Sequence, residues 1–218
     1  GISQNHLKAA LLIFFFGILA VMATGFLWST AGLFIKVIDW QPFAIAGSRS
    51  LIAAVVILIW LQRPSFHFSF PQVAAALANV ATMLLFVVAN KTTTAANAIL
   101  LQYMAPVITA FLGAWLLREK VRPEHWGAMV CVMAGMVVLF MDKLGGGQLF
   151  GNILAICSAF TFSLYFIFMR MQKEGSPLES TLLSHLLTAL IGLVVTLFLP
   201  WPVLTPQAIG AVAALGVV

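Results

Sequence analysis

The sequence has 218 residues, of which 62% are hydrophobic and only 8% are charged. Soluble globular domains carry about a quarter charged residues, so this composition excludes a soluble domain and indicates a protein that crosses a membrane several times. The formal net charge of +5 comes without a basic cluster interleaved with aromatic residues. It therefore does not indicate nucleic-acid binding, and we interpret the basic residues of the short loops as topology signals.

Apolar stretches long enough to cross a bilayer recur along the chain. About 20 apolar residues, at 1.5 Å per residue, cross a hydrocarbon core of about 30 Å. The first stretch is too long for the apolar region of a signal peptide, so we expect it to be retained. The sequence predicts seven complete spans and the beginning of an eighth, at 11–37, 43–61, 72–89, 95–117, 125–141, 149–169, 178–199 and from 205 onward.

The first two spans each carry one residue that is unusual at its depth. Trp28 lies well before Lys36, which closes the first span, and this depth favours a position inside the bundle over an interface anchor. Arg49 lies about two turns inside the second span, where an unpaired cation costs about 2.5 kcal/mol or more at the membrane centre. Two interpretations stay open for Arg49: its side chain reaches the outer surface, or it is a functional charge that faces a cavity.

The third span carries an amide at membrane depth. Asn79, Met83, Phe86 and Asn90 recur on one side of it at helical spacing. Asn79 either bonds a neighbouring helix or contacts a substrate, and the sequence does not decide between these. Lys91 closes the span at a membrane end.

The fourth span is interrupted by Pro106, which cannot donate to the carbonyl oxygen of Gln102. A free carbonyl in hydrocarbon is costly and is tolerated where it faces protein or a water-filled cavity. Gln102, Pro106, Thr109 and Gly113 form a polar and small stripe at helical spacing. The stripe is either a cavity wall or a packing seam. The charged residue Glu119 follows at the membrane end.

The fifth span carries small residues four apart. Gly127, Cys131 and Gly135 form a small-xxx-small pattern, which favours close helix packing. Cys131 and Cys157 both lie inside apolar spans, so neither a disulfide framework nor a metal site is predicted. We expect no metal and no cofactor.

From the sixth span onward the chain repeats the features of its beginning. The offset that sets Gly17 against Gly151 also pairs Trp28 with Phe162. Five spans, an odd number, separate the two copies, so the copies must be inverted relative to each other. The predicted fold is an all-α polytopic bundle, an inverted five-plus-five helix repeat truncated in the eighth helix. The predicted repeats are residues 1–144 and 148–218.

The distribution of basic residues predicts the orientation, because cytoplasmic loops are enriched in lysine and arginine. With the N-terminus in the cytoplasm, the inside segments hold Lys8, Arg63, Arg118, Lys120, Arg122, Arg170 and Lys173, and the outside segments hold Lys36, Arg49, Lys91 and Lys143. The larger inside set predicts a multi-pass protein of the cell membrane with a cytoplasmic N-terminus.

The block from Ala95 to Leu139 resembles the EamA-type branch of the drug/metabolite transporter superfamily. In that family a mid-helix proline, a glutamate that closes the helix, and glycines in the next span recur, and Pro106, Glu119, Gly127 and Gly135 occupy those positions. The resemblance implies a ten-helix, two-repeat carrier of small metabolites, commonly an exporter of amino acids or related compounds. It also implies a central cavity that opens alternately to either side.

The leading hypothesis is therefore a secondary transporter rather than an enzyme, with a lipid bilayer and a small-molecule substrate as its partners. We expect its substrate-binding wall to contain Trp28, Asn79, Gln102, Tyr103, Phe162 and Tyr165, with Pro106 as a flexible point for gating. Proton coupling through His185 is one hypothesis, and a histidine at a helix end in the interface is the other. The alternative functions are a membrane-embedded enzyme, for which the sequence shows no catalytic constellation, and a non-transporting scaffold.

Overall fold

The structure is a computed structural model that describes residues 4–118, 122–140, 148–172 and 176–217, with side chains from residue 12 onward apart from 136, 139 and 140. All regular secondary structure in these ranges is helical, which confirms the predicted all-α class. The helices are α1 (Gln4–Val37), α2 (Pro42–Leu61), α3 (Phe70–Thr92), α4 (Ala95–Gln102), α5 (Ala105–Leu116), α6 (Pro123–Phe140), α7 (Leu149–Met171), α8 (Pro177–Leu197) and α9 (Pro206–Val217).

Six stretches of the described chain are long and apolar enough to cross a membrane, counting α4 and α5 together as one. The shorter helix α9 is also apolar. The outer surface of the bundle carries large exposed hydrophobic side chains, such as Phe14, Trp60 and Phe198. A lipid environment, unlike water, imposes no cost on these side chains. The protein is therefore a polytopic helical membrane bundle.

Several helices begin with proline, whose missing N–H is not needed in the first turn. Pro42 and Pro177 take this position in α2 and α8. In α8, Ser176 adds a capping box with Glu179, whose Oε2 accepts from the backbone nitrogen of Ser176 at 3.0 Å. Such a box satisfies two backbone donors that the first turn would otherwise leave unpaired.

The predicted fourth span is not one continuous helix. A turn at Tyr103 and Met104 separates α4 from α5. The backbone nitrogen of Met104 donates to the carbonyl oxygen of Leu101, three residues earlier, at 3.1 Å. The α-helical pattern, with bonds to the residue four positions earlier, resumes where the nitrogen of Ile108 donates to the carbonyl oxygen of Met104 at 3.0 Å. Because Pro106 lacks an N–H and its ring crowds the carbonyl four residues earlier, the helix breaks just before the proline.

Contacts near the helix ends give the directions of the central helices. Thr93, just past α3, donates to Asn152 near the start of α7 at 2.7 Å, whereas Phe70 at the start of α3 packs edge-on against Phe168 near the end of α7. These two helices are therefore antiparallel. Helices α2 and α8 are antiparallel too, because Ser65, which follows α2, donates to Glu179 in the first turn of α8 at 2.9 Å.

The sixth span runs opposite to the first. The ammonium group of Lys91, at the end of α3, donates to the carbonyl of Ile38, just past α1, so α1 and α3 end on the same side of the membrane. Helix α7 begins on that side, because its start contacts the end of α3. The predicted inverted orientation is therefore confirmed. The assignment of residues 1–144 and 148–218 to separate repeats stays a prediction.

Helices α2 and α8 meet backbone to backbone. A Cβ atom added at Gly192 would lie 2.5 Å from the Cα of Gly47 and 2.7 Å from the carbonyl oxygen of Phe43. Two glycines facing each other permit this approach, which gives close dispersion contact where lipid offers no hydrophobic driving force between helices. Other small residues of α2 are buried within the bundle: Ala44, Ala46, Ser50 and Ala54.

We expect Gly192→Ala to destabilise the bundle, because the new methyl group has no space between α2 and α8. Overpacking of this kind costs about 1–3 kcal/mol, and for a chain of this size each kcal/mol lowers Tm by roughly 2–4 °C. The measurement is thermal unfolding of the purified protein in detergent. Gly210→Ala is the matched control, because an added Cβ there meets no atom within 4 Å. Equal melting temperatures for the two variants would contradict the close contact.

Candidate functional site

A cavity of about 1000 Å³ lies between α1, α2, α3, the α4–α5 break, α6 and α7. Its size is at the upper end of the range for small-molecule sites. Most of the residues predicted for the substrate wall line it: Trp28, Asn79, Gln102, Tyr103 and Phe162, together with Pro106. The broken part of the fourth span therefore faces the cavity, as expected for irregular backbone at membrane depth. Whether these residues contact a substrate stays a prediction.

One part of the wall is aromatic. Trp28 of α1 and Phe162 of α7 lie with their ring centroids 5.4 Å apart, and Phe166 packs against Phe162 at 4.6 Å. Trp28 and Phe162 are also the pair that the sequence repeat sets in equivalent positions. Helices α1 and α7 thus contribute aromatic residues to one cluster, which offers ring faces to an apolar or aromatic solute.

Tyr165 lies behind this cluster rather than on the cavity surface. Its ring stacks on Phe162 at 6.1 Å with an interplanar angle of 11°, and the side chain is only 7% exposed. Its hydroxyl shares a hydrogen bond with the hydroxyl of Thr181 at 2.7 Å. Unlike the other predicted wall residues, Tyr165 is therefore placed to support Phe162 from behind.

The amides at membrane depth bond neighbouring helices and also line the cavity. Asn79 donates to the hydroxyl of Ser184 at 2.8 Å, and Gln102 donates to the hydroxyl of Ser158 at 3.1 Å. The position of Asn79 is thus compatible with both alternatives that the sequence left open, a bond to a neighbouring helix and contact with a substrate. Each amide nitrogen is fixed by another helix while the side chain borders the cavity.

Hydroxyl groups extend this polar wall. Thr82 of α3 lines the cavity and donates to Thr161 of α7 at 2.9 Å, and the hydroxyl of Ser158 donates to the Thr82 carbonyl at 3.3 Å. Sequence reasoning missed Thr82 as a wall residue. Its position one turn after Asn79 on the same face is the signal that would have identified it.

The charged residues of the cavity wall are all basic. Arg49, Arg122, His125 and Arg170 line the cavity, and no aspartate or glutamate of the described chain does. For Arg49 the structure favours the cavity-facing alternative over the outer surface, since its side chain is half-buried and borders the cavity. Arg122, His125 and Arg170 are exposed near the start of α6 and the end of α7. In the sequence they had the pattern of ordinary loop charges.

The remaining charged candidates lie away from the cavity. Lys91 holds the end of α3 to the chain after α1. His185 is 8% exposed and lies more than two turns inside α8, where its Nδ1 finds no hydrogen-bond partner among the described residues. It is therefore buried rather than placed at a helix end in the interface, because α8 packs this face against other helices. Glu119 lies outside the described residues.

The glycines of α6 do not form the predicted packing seam. An added Cβ at Gly127 or Gly135 would meet no described atom within 4 Å, and Cys131 between them is exposed. Helix α6 makes few helix contacts within the described chain, one of which is Phe111 packed edge-on against Trp126 at 5.0 Å. A small-xxx-small pattern permits close packing but does not require it, which explains the difference.

The arrangement is suited to binding rather than to bond chemistry. No group of three histidine, cysteine, aspartate or glutamate side chains in the described chain is placed to hold a metal ion. The cavity wall combines aromatic rings, amides, hydroxyls and basic groups. Such a wall can hold an amphipathic small molecule by stacking, hydrogen bonds and charge.

Comparison with known proteins agrees with this architecture. A crystal structure of another protein superposes on this chain with a TM-score of 0.68 at 23% identity, covering 88% of this chain and 70% of its own, which shows a shared fold. No curated protein matches the sequence. The model of the EamA-like transporter family matches residues 15–141, more than half of the sequence, and confirms the resemblance of the sequence motifs. The chain therefore belongs to the EamA-like transporter family.

Proposed function

We propose that the protein is a secondary transporter that moves small metabolites across the cell membrane by alternating access. The observation that carries the proposal is a cavity of about 1000 Å³ at membrane depth that is bordered by the broken α4–α5 span. A non-transporting scaffold needs no such chamber. The family supports a small solute as the cargo, and amino acids and related metabolites are the first candidates.

The cavity extends toward one membrane face. Trp28 and Arg49 lie at its deeper part, and the exposed side chains of Arg122, His125 and Arg170 lie at the ends of α6 and α7 that share the other face. The excess of basic residues on that face supports its assignment to the cytoplasm. On this assignment the N-terminus is cytoplasmic and the cavity loads cargo from inside the cell, which supports export as the direction.

The break between α4 and α5 supports a gating role. Both segments pack against α7, but only α4 also packs substantially against α1. A helix without continuous backbone bonds bends at lower cost than an intact one. Tilting α5 about Tyr103 and Met104 would change the width of the cavity without moving α4. Such a local hinge fits the gating motions of carriers.

The decisive experiment is transport by the full-length protein in proteoliposomes. Vesicles preloaded with one member of a panel of unlabelled amino acids and organic acids are diluted into the labelled form of the same compound. A secondary carrier gives counterflow, a transient accumulation of label, for at least one compound. A complete absence of counterflow across the panel, with the protein folded and inserted, would contradict the proposal.

We expect Pro106→Ala to reduce the transport rate at least tenfold. Alanine restores the backbone N–H, which favours a continuous helix over the hinge at Tyr103. The measurement is the initial counterflow rate with the best compound of the panel. Pro42→Ala is the matched control, because Pro42 lies in the first turn of α2, where no helical hydrogen bond is lost. Equal rates for the two variants would exclude the hinge.

Trp28→Ala is expected to weaken substrate binding more than it slows translocation. The Trp28–Phe162 contact lies at the cavity wall, and an aromatic contact contributes about 0.5–1.5 kcal/mol beyond its area, so KM rises roughly two- to tenfold. Trp60→Ala is the control, since Trp60 is 80% exposed on the outer face of α2. A KM unchanged by Trp28→Ala would remove the aromatic cluster from the substrate site.

A further inference from the structure

The charge of the cavity wall is one-sided. Its ionisable lining residues are Arg49, Arg122, His125 and Arg170, and the described chain contributes no carboxylate to the lining. The described glutamates lie elsewhere: Glu179 accepts from Ser65 and Ser176 at the start of α8, and Glu124 is exposed at the start of α6. Arginines in a cavity wall raise the local concentration of anions and repel cations.

Arg49 is the member of this set at membrane depth. It lies in the second turn of α2. The hydroxyl of the next residue, Ser50, donates to the sulfur of Met83 in α3. No aspartate or glutamate of the described residues lines the cavity beside Arg49. A cation in this position is costly in a membrane. An anionic ligand that enters the cavity would compensate its charge.

The guanidinium group selects among anions by its shape. Its parallel N–H groups match the two oxygens of a carboxylate, a geometry that lysine does not offer. The wall beyond Arg49 is neutral and largely apolar, with the rings of Trp28, Phe86 and Phe162. One deep cation beside an apolar chamber fits a molecule with a single carboxylate and an apolar body. An ammonium group at the same place would lie beside the positive charge of Arg49 and would find no carboxylate among the described lining residues.

We infer that the cavity binds small organic anions, with the carboxylate at Arg49 and the apolar or aromatic body against Trp28 and Phe162. This inference rests on the proposed transport function and narrows its substrate class from small metabolites in general to organic acids. Zwitterionic amino acids match the wall less well than the corresponding acids without an amino group. Arg122 at the exposed end of the cavity attracts the same charge.

The test is equilibrium binding to the purified full-length protein in nanodiscs, measured by isothermal titration calorimetry. The probes share one phenyl body: 3-phenylpropionate, its neutral amide, the cation phenethylamine, the zwitterion phenylalanine, and phenyl phosphate. We expect 3-phenylpropionate to bind at least tenfold more tightly than the amide, the cation and the zwitterion. Equal or tighter binding of any of these three, or no binding by any probe, would overturn the inference. Tighter binding of phenyl phosphate would overturn the carboxylate assignment.

Variants then locate the anion. Arg49→Gln is expected to remove the preference for 3-phenylpropionate over its amide, and Arg49→Lys to restore part of it. Arg63→Gln, in the exposed loop after α2, is the control and keeps the full preference. A preference that survives Arg49→Gln would move the site away from Arg49. If Arg49→Gln does not elute as a folded protein, the comparison of Arg49→Lys with wild type decides, since a lysine lacks the paired N–H groups and lowers the preference.

The anion-binding inference and the transport proposal are contradicted by different outcomes. Counterflow of a neutral or zwitterionic compound without anion binding would overturn the anion inference and leave the transport proposal standing. Anion binding at Arg49 without counterflow of any compound would overturn transport and leave the anion site standing.

Discussion

A membrane offers no water to the backbone or to polar side chains, and this constraint organises the bundle. A buried polar group without a partner inside the protein is therefore costly. Here the partners come from the other half of the chain: Thr93 reaches Asn152, Thr82 reaches Thr161, and Gln102 reaches Ser158. The polar bonds therefore connect the helices before α6 with α7, the first helix of the inverted part. The place where the backbone ladder itself is interrupted, at Tyr103 and Met104, borders the cavity.

The inverted order of the helices gives the cavity its matched walls. Residues in equivalent positions of an inverted pair approach each other near the symmetry centre, and Trp28 and Phe162 do so at 5.4 Å. Helices α2 and α8 also meet closely, through Gly47 and Gly192, although these two glycines are not equivalent positions of the sequence repeat. At the glycine contact the two backbones touch without side chains between them, whereas the aromatic contact borders the cavity. The bundle thus combines a close helix contact with an open aromatic wall.

Sequence reasoning located the spans and most of the cavity wall, because long apolar runs and polar residues inside them are local signals. It located the interruption of backbone bonding at Pro106, but not the turn at Tyr103 and Met104 that divides the span into two helices. It left an interface position open for His185, which is buried, and it gave the α6 glycines a packing role that no contact of the described residues supports. Burial is decided by distant parts of the chain. In the sequence, Arg122 and Arg170 have the pattern of ordinary loop residues. Only the fold shows that they line the exposed end of the cavity.

The glycine contact between α2 and α8 also limits how the two halves of the chain can move. With two backbones touching and no side chain between them, sliding along the helices would drive Cα atoms into each other, whereas a small rotation keeps the contact. From Gly192 to Glu179 the helix extends about 20 Å at 1.5 Å per residue. A tilt of about ten degrees about Gly192 would displace the far end by roughly 3.5 Å over that length. This close glycine contact would thus act as a pivot, and the largest displacement would fall on the distant membrane face, where Ser65 bonds Glu179.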